Sequence, residues 1–497
     1  MRNDRRRHHH QRSDLVGLSA IAMTERGLEP EFSSKVLQEL ASIAGAAKEA
    51  GSEIRDLTNL LWCSIDNDDS RDLDQLTVCE ASGSGKIKVL VAIADVDAVV
   101  KKGSAIDDHA RINTTSIYTS ARIFPMLPER LSTDLTSLNE GQERLAVVTE
   151  MLFDAQGALT DSTVYRAKVL NKAKLAYDAV SAWIESKGPS LSEVAAIPGM
   201  EDQLQLQDVL AQKLRARRYT EGSLEFETFQ PRVVFDGEQI TKIYLQEQNR
   251  ARQLIEELMI ATNGCNARFL AAHGGSSLRR VVRSPERWMR IMAVAQEYGE
   301  TLPGEPDSKA LAAFLAKRHR ADPLRFPDLS LIIVKLMGRG EYVVEAHGGA
   351  AIGHFGLGLR DYTHSTAPNR RFPDLITSRM LKAILQEQSS PYTDAELASL
   401  ALHCTTQEDA AQKVERQMRK SEAALLLESR IGAHFDAIVT GNSSVGVWVR
   451  VLSPPAEGKL MANGTSLKIG ERLRVKLLGV NVERGFIDFG IESDRRA

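Results

Sequence analysis

Five carboxylates, Asp66, Asp68, Asp69, Asp72 and Asp74, fall within nine residues between two apolar runs, Leu60 to Ile65 and Leu76 to Cys79. The flanking runs read as strands, so the acids sit on a loop where their charges repel unless a cation neutralises them. Oxygen-only ligands favour Mg²⁺ or Mn²⁺ over zinc. An EF-hand calcium loop begun at Asp66 would need Gly and Glu where this chain has Arg71 and Thr77. A merely solvated acidic turn would carry the same run of charge.

A second cluster runs from His354 to Leu375 and contains Gly356-Leu357-Gly358, Asp361, His364, Pro368, Arg370 and Arg371. Its G-x-G lacks the third glycine and helix start of a dinucleotide fingerprint, which argues against a nucleotide cofactor. Paired arginines just before a helix suit a phosphate clamp, because a guanidinium grips two oxygens at once. Pairing of Arg370 and Arg371 with nearby acids is the competing reading.

The elements that must position these groups belong to a chain of 497 residues with 43% hydrophobic content, enough for roughly three domains with sizeable cores. Lys and Arg number 63 against 66 Asp and Glu, so a polyanionic partner would be held by a local groove and not by overall charge. Cys63, Cys79, Cys265 and Cys404 are widely spaced without a C-x-x-C pair, which fits reduced thiols in a cytoplasm better than disulfides or structural zinc. No stretch approaches the roughly 18 apolar residues of a membrane span. The basic Met1 to Arg12 reads as a tail, with a nucleic-acid arm as the other possibility.

The pattern is α+β: a mixed α/β region followed by a small all-β barrel. A helix is expected over Lys35 to Glu49, capped by Ser33 or Ser34, with strands at Ile87 to Ala94 and Leu145 to Phe153. Helical patterns occupy Ala173 to Ser186, Gln248 to Leu270, Glu286 to Glu297, Ser308 to Lys317 and Asp374 to Gln386. Thr405-Thr406-Gln407-Glu408 has capping-box spacing and is expected to open a charged helix that ends near Ser429. Five short alternating strands then follow, at His434 to Thr440, Val445 to Val451, Lys459 to Met461, Arg472 to Leu478 and Phe486 to Ile491. They suggest an OB-fold, a barrel that commonly binds single-stranded nucleic acid, although other small barrels share the pattern.

Taken together, the residues resemble the ribonuclease II and ribonuclease R exoribonucleases with their RNB catalytic domain. Ser64-Ile65-Asp66 through Asp74 is similar to the acidic signature, and Val91-Ala92-Ile93-Ala94-Asp95-Val96 to the strand after it. Ile123 to Ser132, Ser137-Leu138-Asn139, Ala173 to Asp178, Leu254 to Ala261 and the arginine cluster continue the likeness across roughly 55 to 385. The resemblance implies four segments: a leader over 1–54, partly disordered and helical; an RNB domain over 55–404; a helical connector over 405–431; and an S1-like OB-fold over 432–497. Too few residues precede Asp66 for the two cold-shock-type barrels that members usually carry, so part of the RNA clamp is expected to be missing or replaced.

By the same resemblance, Asp66, Asp72, Asp74 and the neighbouring Gln75 would surround the Mg²⁺, or Mn²⁺, with Asp72, Asp74 and Arg370 catalytic. Tyr118 and Phe226 would cap stacked bases, Tyr177 and Glu256 would contact ribose, and Arg371 would touch RNA. From the residues alone, the three aromatics pass as core side chains, and Glu256 as a helical ion pair with Arg252. Gln75 departs from the family, which usually has a fourth aspartate there, so weaker metal binding or altered metal preference is expected. The implied function is a monomeric, cytoplasmic, Mg²⁺-dependent 3′-to-5′ exoribonuclease that degrades single-stranded RNA to nucleoside 5′-monophosphates. The alternatives are a weakened or inactive RNB-fold RNA-binding protein, and a DNA nuclease or other phosphodiesterase.

Overall fold

The computed structural model describes residues 11–49, 53–186, 191–227, 231–245, 248–273, 275–323, 325–443, 446–461 and 467–492, with backbone only at 231 and 245. Most of the basic segment read at 1–12 thus lies outside the described residues. Helices α1 (Arg12–Thr24) and α2 (Ser34–Ser42) precede strands β1 (Ile54–Asp56), β2 (Cys63–Asp66), β3 (Gln75–Ala81) and β4 (Ile87–Ala94). Helix α3 (Ala105–Asn113), the hairpin β5 (Ile117–Tyr118) and β6 (Ile123–Phe124), and strands β7 (Glu143–Phe153), β8 (Leu159–Leu170) and β9 (Ala173–Ala176) come next. Helices α4 (Tyr177–Ser186), α5 (Ser192–Ala195) and α6 (Met200–Thr220) lead to the hairpin β10 (Pro231–Asp236) and β11 (Gln239–Leu245), then α7 (Arg250–Ala272) and β12 (Ser277–Val281). After α8 (Trp288–Glu297), α9 (Ser308–Ala321) and α10 (Phe326–Met337), strand β13 (Glu341–Glu345) pairs with β12, followed by α11 (Phe372–Leu385) and α12 (Asp394–Glu428). Strands β14 (His434–Ser443), β15 (Gly446–Val451), β16 (Ala456–Leu460), β17 (Arg472–Asn481) and β18 (Phe486–Ile491) end the chain's described elements.

Seven strands form the central sheet in the order β1-β8-β7-β4-β3-β2-β9. Both faces are covered, so its inner strands read as continuous apolar runs. Alternation along β4 sends Leu90, Ala92 and Ala94 to a core shared with Phe372, Leu375 and Ile376 of α11. Val89, Val91 and Ile93 face the other core, under Leu204 and Leu210 of α6 and Leu254 and Leu258 of α7. Each fully buried aliphatic side chain of this kind stabilises the fold by roughly 1.5–3 kcal/mol. The sheet's ends are thereby fixed between two helical layers, and the acidic loop joins two of its central strands.

Strands β14-β15-β16-β18-β17 close into a barrel, sealed by the parallel contact of β16 with β18 and filled by Val439, Val449, Val475 and Phe489. This is the expected OB-fold, and each expected strand has a counterpart, although the third runs over Ala456–Leu460 and not Lys459 to Met461, and Val445 lies outside the described residues. A buried ion pair, Arg450 Nη2 to Asp328 Oδ1 at 2.6 Å, ties β15 to α10. Among the described residues, no helix is long and apolar enough to cross a membrane.

Three local expectations are corrected. Ala173 to Ser186 is not one helix: Ala173–Ala176 is claimed as strand β9 by parallel pairing with Cys63–Asp66, and the helix begins only at Tyr177. The helix read over Lys35 to Glu49 keeps its Ser33 cap but stops at Ser42, where Ile43 turns extended. The capping box lies at Thr393 and Glu396, not at Thr405. Thr405 sits inside the 35-residue α12, its hydroxyl donating to the Ala401 carbonyl and accepting the Tyr342 N–H, so the boundary drawn between 404 and 405 falls within a continuous helix.

Candidate active site

Asp66 ends β2, Gln75 begins β3, and the acidic loop spans the gap between them. Its far end is pinned by backbone bonds: Leu73 N–H donates to Ser137 Oγ at 2.9 Å, Leu138 N–H to the Leu73 carbonyl at 2.9 Å, and Ala94 N–H to the Asp74 carbonyl at 3.0 Å. Ser137 Oγ also donates to the Arg71 carbonyl. The Ser137-Leu138-Asn139 motif therefore acts as a clasp on the loop, which keeps closely spaced acids from splaying apart.

The turn before α11 closes over Asp74. Asn369 N–H donates to Asp74 Oδ1 at 2.9 Å and Arg370 Nε to Asp74 Oδ2 at 3.1 Å, while Asn369 Oδ1 accepts from Thr136 Oγ1. Tyr118 Oη donates to Asp72 Oδ2 at 3.4 Å. Asp74 is 1% exposed. Burial pushes its carboxyl up to about 7; Arg370 pulls the other way and Asp72 adds to the rise. Burial likewise raises Asp72, opposed by Arg370 and assisted by Asp66. Burial alone would weaken the Arg370 charge, but the acids and the Tyr118 phenol around it hold the guanidinium firmly protonated.

These acids fit a hard divalent cation in donor chemistry: Asp66, Asp72 and Asp74 offer oxygen only, and burial of Asp72 and Asp74 favours protons that a cation would displace. Among the described residues, no three His, Cys, Asp or Glu side chains converge as a ligand shell in this structure. Asp74 is instead engaged by Arg370 and Asn369, so an ion would have to compete with those bonds. Gln75 is buried at 6% exposure and paired in register with Ile93. Alternation along β3 gives it the face of Thr77 and Cys79, away from Leu76 and Val78.

The other sequence-selected residues divide. Tyr177 heads α4, with the Arg252 guanidinium 4.4 Å from its ring centroid; burial, then Asp66, raises its phenol. Arg252 does not pair with Glu256: its Nη2 donates to Asn67 Oδ1 on the acidic loop, and Glu256 lies 4.0 Å from Arg218. Phe226 packs against the cluster of Trp288, Phe314 and Phe326. Arg371 is engaged inside its own turn, its Nη2 donating to the buried Asp374 Oδ1 at 2.7 Å. The G-x-G is a packing feature: a Cβ on Gly358, at φ +64°, would meet the backbone of Gly222 and Ser223 at 3.0 Å.

A family model described as the RNB domain matches residues 54–387, and one for the RNase II-type exonuclease C-terminal S1 domain matches 433–492. The chain belongs to the RNB family. This RNB chain is 29% identical over 496 residues to Ribonuclease R of Escherichia coli (strain K12), covering 92% of itself and 60% of that protein. It is 29% identical over 504 residues to Ribonuclease R of Aquifex aeolicus, covering 94% of itself and 69% of the relative. The chain thus spans about 60% of the length of the first of these curated relatives. In fold it matches the apo form of Mycoplasma genitalium RNase R with a TM-score of 0.86 at 24% identity, covering 96% of this chain and 78% of that one. It also matches yeast Ssd1, described as a pseudonuclease, with a TM-score of 0.68 at 15% identity, covering 90% of this chain and 55% of that one.

Sequence reasoning missed Asn369, Thr136, Arg252 and the roles of Ser137 and Leu138. Asn369 carried a signal, since it directly precedes the arginine pair, but the bond it makes to Asp74 is through its backbone.

Proposed function

We propose that the protein is a Mg²⁺-dependent 3′-to-5′ exoribonuclease that hydrolyses single-stranded RNA to nucleoside 5′-monophosphates. The observation that carries this reading is the buried Asp74 held by Arg370 Nε and the Asn369 N–H, beside an Asp72 that accepts from Tyr118, in a chain of the RNB family. Asp66, Asp72 and Asp74 would hold the divalent ion, with Gln75 as a weaker carbonyl donor. The ion would supply charge neutralisation at the scissile phosphate and activation of water. Arg370, 44% exposed and fixed at Nε by Asp74, leaves its terminal nitrogens available to the phosphoryl oxygens.

Tyr118 offers an exposed ring to a terminal base, and stacking of this kind is worth roughly 1–3 kcal/mol per base whatever the sequence. Tyr177 and Glu256 are proposed to read the ribose 2′-hydroxyl, which separates RNA from DNA. Phe226 is proposed as the second base-stacking aromatic, and Arg371 as a further RNA contact. The S1-type barrel would guide the incoming strand. Burial of all four cysteines as free thiols supports a reducing, cytoplasmic setting, and we take the active form as a monomer.

Incubation with 5′-labelled oligoribonucleotide and Mg²⁺ tests the proposal. Stepwise shortening from the 3′ end that disappears in Asp74→Asn is expected, with slow cleavage when the terminal residues are deoxyribose. Equal rates on RNA and DNA would refute the RNA assignment. Gln75 favours one other reading, a weakened or silent RNB scaffold that only binds RNA, which tight binding without products would establish.

A further inference from the structure

The hairpin β5–β6 carries Tyr118, and its backbone is edged on one side only by its own partner strand. Period-two geometry turns the N–H groups of Ser116, Tyr118 and Ser120 to the opposite side. All three are satisfied by other elements. Ser116 N–H donates to the Arg370 carbonyl at 2.9 Å, Tyr118 N–H to Glu415 Oε1 at 3.1 Å, and Ser120 N–H to Glu422 Oε1 at 3.1 Å. Ser120 Oγ adds a bond to Glu422 Oε2. Glu415 and Glu422 lie two turns apart on one face of α12, so the helix serves the hairpin as a neighbouring strand would, with side-chain carboxylates in place of carbonyls.

Placing carboxylates there is unfavourable for packing. Glu422 is 1% exposed, among Met418, Ala423 and Ala424 of the apolar cluster that also holds Phe124. Burial raises both carboxyls, Glu422 to about 7, and the Ser120 bonds offset part of this. The same stretch of α12 also seats the barrel: a Cβ on Gly485 of the β17–β18 turn would lie 2.7 Å from Lys420 Cβ and 3.1 Å from Ser421 N. One strap, residues 114–122, therefore links the barrel-bearing helix to the Tyr118 ring, to the hydroxyl contact on Asp72 and to the backbone of Arg370.

We propose that Glu415 and Glu422 are positioning residues that set the Tyr118 ring and the Arg370 turn for a terminal nucleotide, so the helix leading to the barrel defines the geometry of the site. This rests on the exoribonuclease reading for its substrate, but the contact can be tested without it. The full chain carrying Glu415→Ala with Glu422→Ala is compared with the Gln/Gln pair, whose side-chain carbonyls still accept N–H. Glu415→Ala alone serves as the milder variant should the double one unfold.

Hydrogen exchange of peptides covering 114–124 should quicken by at least tenfold in the alanine variants and stay at the wild-type rate in Gln/Gln. An oligo(A) carrying 2-aminopurine at its 3′ end, bound in EDTA, should be quenched by wild type and Gln/Gln, and should lose most quenching and about tenfold in affinity in the alanine variants. Unchanged exchange and quenching in a folded alanine variant, or equal loss in Gln/Gln, would overturn the proposal. If wild type itself fails to bind the oligonucleotide, the exoribonuclease reading falls, and exchange at 114–124 alone decides whether these glutamates hold the strap.

Discussion

Replacing Asp74 by asparagine removes one negative charge from a position 1% exposed, without altering its shape. The carboxyl's rise from 3.8 to about 7 corresponds to about 4 kcal/mol held against the ionised form. In the unfolded chain the group titrates near its ordinary value, so between about pH 4 and 7 the folded protein binds more protons than the unfolded one. Stability therefore falls as pH rises through that window, and the whole penalty is present above about 7. Asparagine keeps an acceptor for Asn369 N–H but loses the one facing Arg370 Nε. Because that guanidinium is 44% exposed, water replaces the lost partner at a cost of about 1 kcal/mol. Without metal, Asp74→Asn should be more stable than wild type by about 3 kcal/mol at pH 8 and no more stable at pH 4. Urea unfolding in EDTA across this range, followed by emission of the fully buried Trp62 and the other tryptophans, measures the difference. Saturating Mg²⁺ should close the gap at pH 8 by binding only folded wild type. A difference that stays constant from pH 4 to 8 would refute the account of Asp74.

Arg370→Ala should lower the rate of nucleotide release by roughly 10²–10³-fold, the usual loss of a donor at a developing oxyanion, while the Kd for oligoribonucleotide moves less than tenfold. Gln75→Asp should tighten Mg²⁺ binding by calorimetry by about fivefold or more, at some loss of stability in EDTA near neutral pH, as a further carboxyl is crowded into the site. Arg450→Ala leaves Asp328 as a buried carboxylate without its 2.6 Å partner, so α10 should loosen by roughly 3 kcal/mol in hydrogen exchange while the barrel's own core stays protected.

What was legible from residues follows from where apolar periodicity is clean. Strand β15 buries every second residue, and α7 repeats Ala251, Leu254 and Leu258 on its buried face, so both were readable. Helix α6, 21 residues long, was not read, because its core-facing stripe is partly polar: Gln203 and Gln207 are buried and bonded to the Cys79 N–H and Thr77 Oγ1 of β3. Such a helix hides its inward face from a hydrophobicity pattern while still holding the sheet. Strand β9 was misread for a complementary reason, since Ala-Lys-Leu-Ala favours helix locally and only the parallel pairing with β2 overrides it.

The site divides along the same line. Residues whose side chains act were visible as unusual types where charge is crowded, the acids and Arg370, whereas Tyr118 and Tyr177 read as core aromatics and are singled out only by the family resemblance. Residues whose backbone acts were not visible, because any side chain can accompany an N–H. Asn369 meets Asp74 through its amide, Leu138 holds the loop through its amide, and Glu415 and Glu422 are felt only where they accept the amides of Tyr118 and Ser120. Arg371 shows the converse, a residue of suggestive type whose charge is taken up by Asp374 inside its own turn. Type marks which groups can do chemistry, whereas the direction of each group is set by contacts between segments hundreds of residues apart. The acidic loop at 66–74, the strap at 114–122, the clasp at 137–139 with Thr136 before it, and the turn at 369–371 form one network, so a substitution in any of the four should be felt first at Asp74 or Arg370.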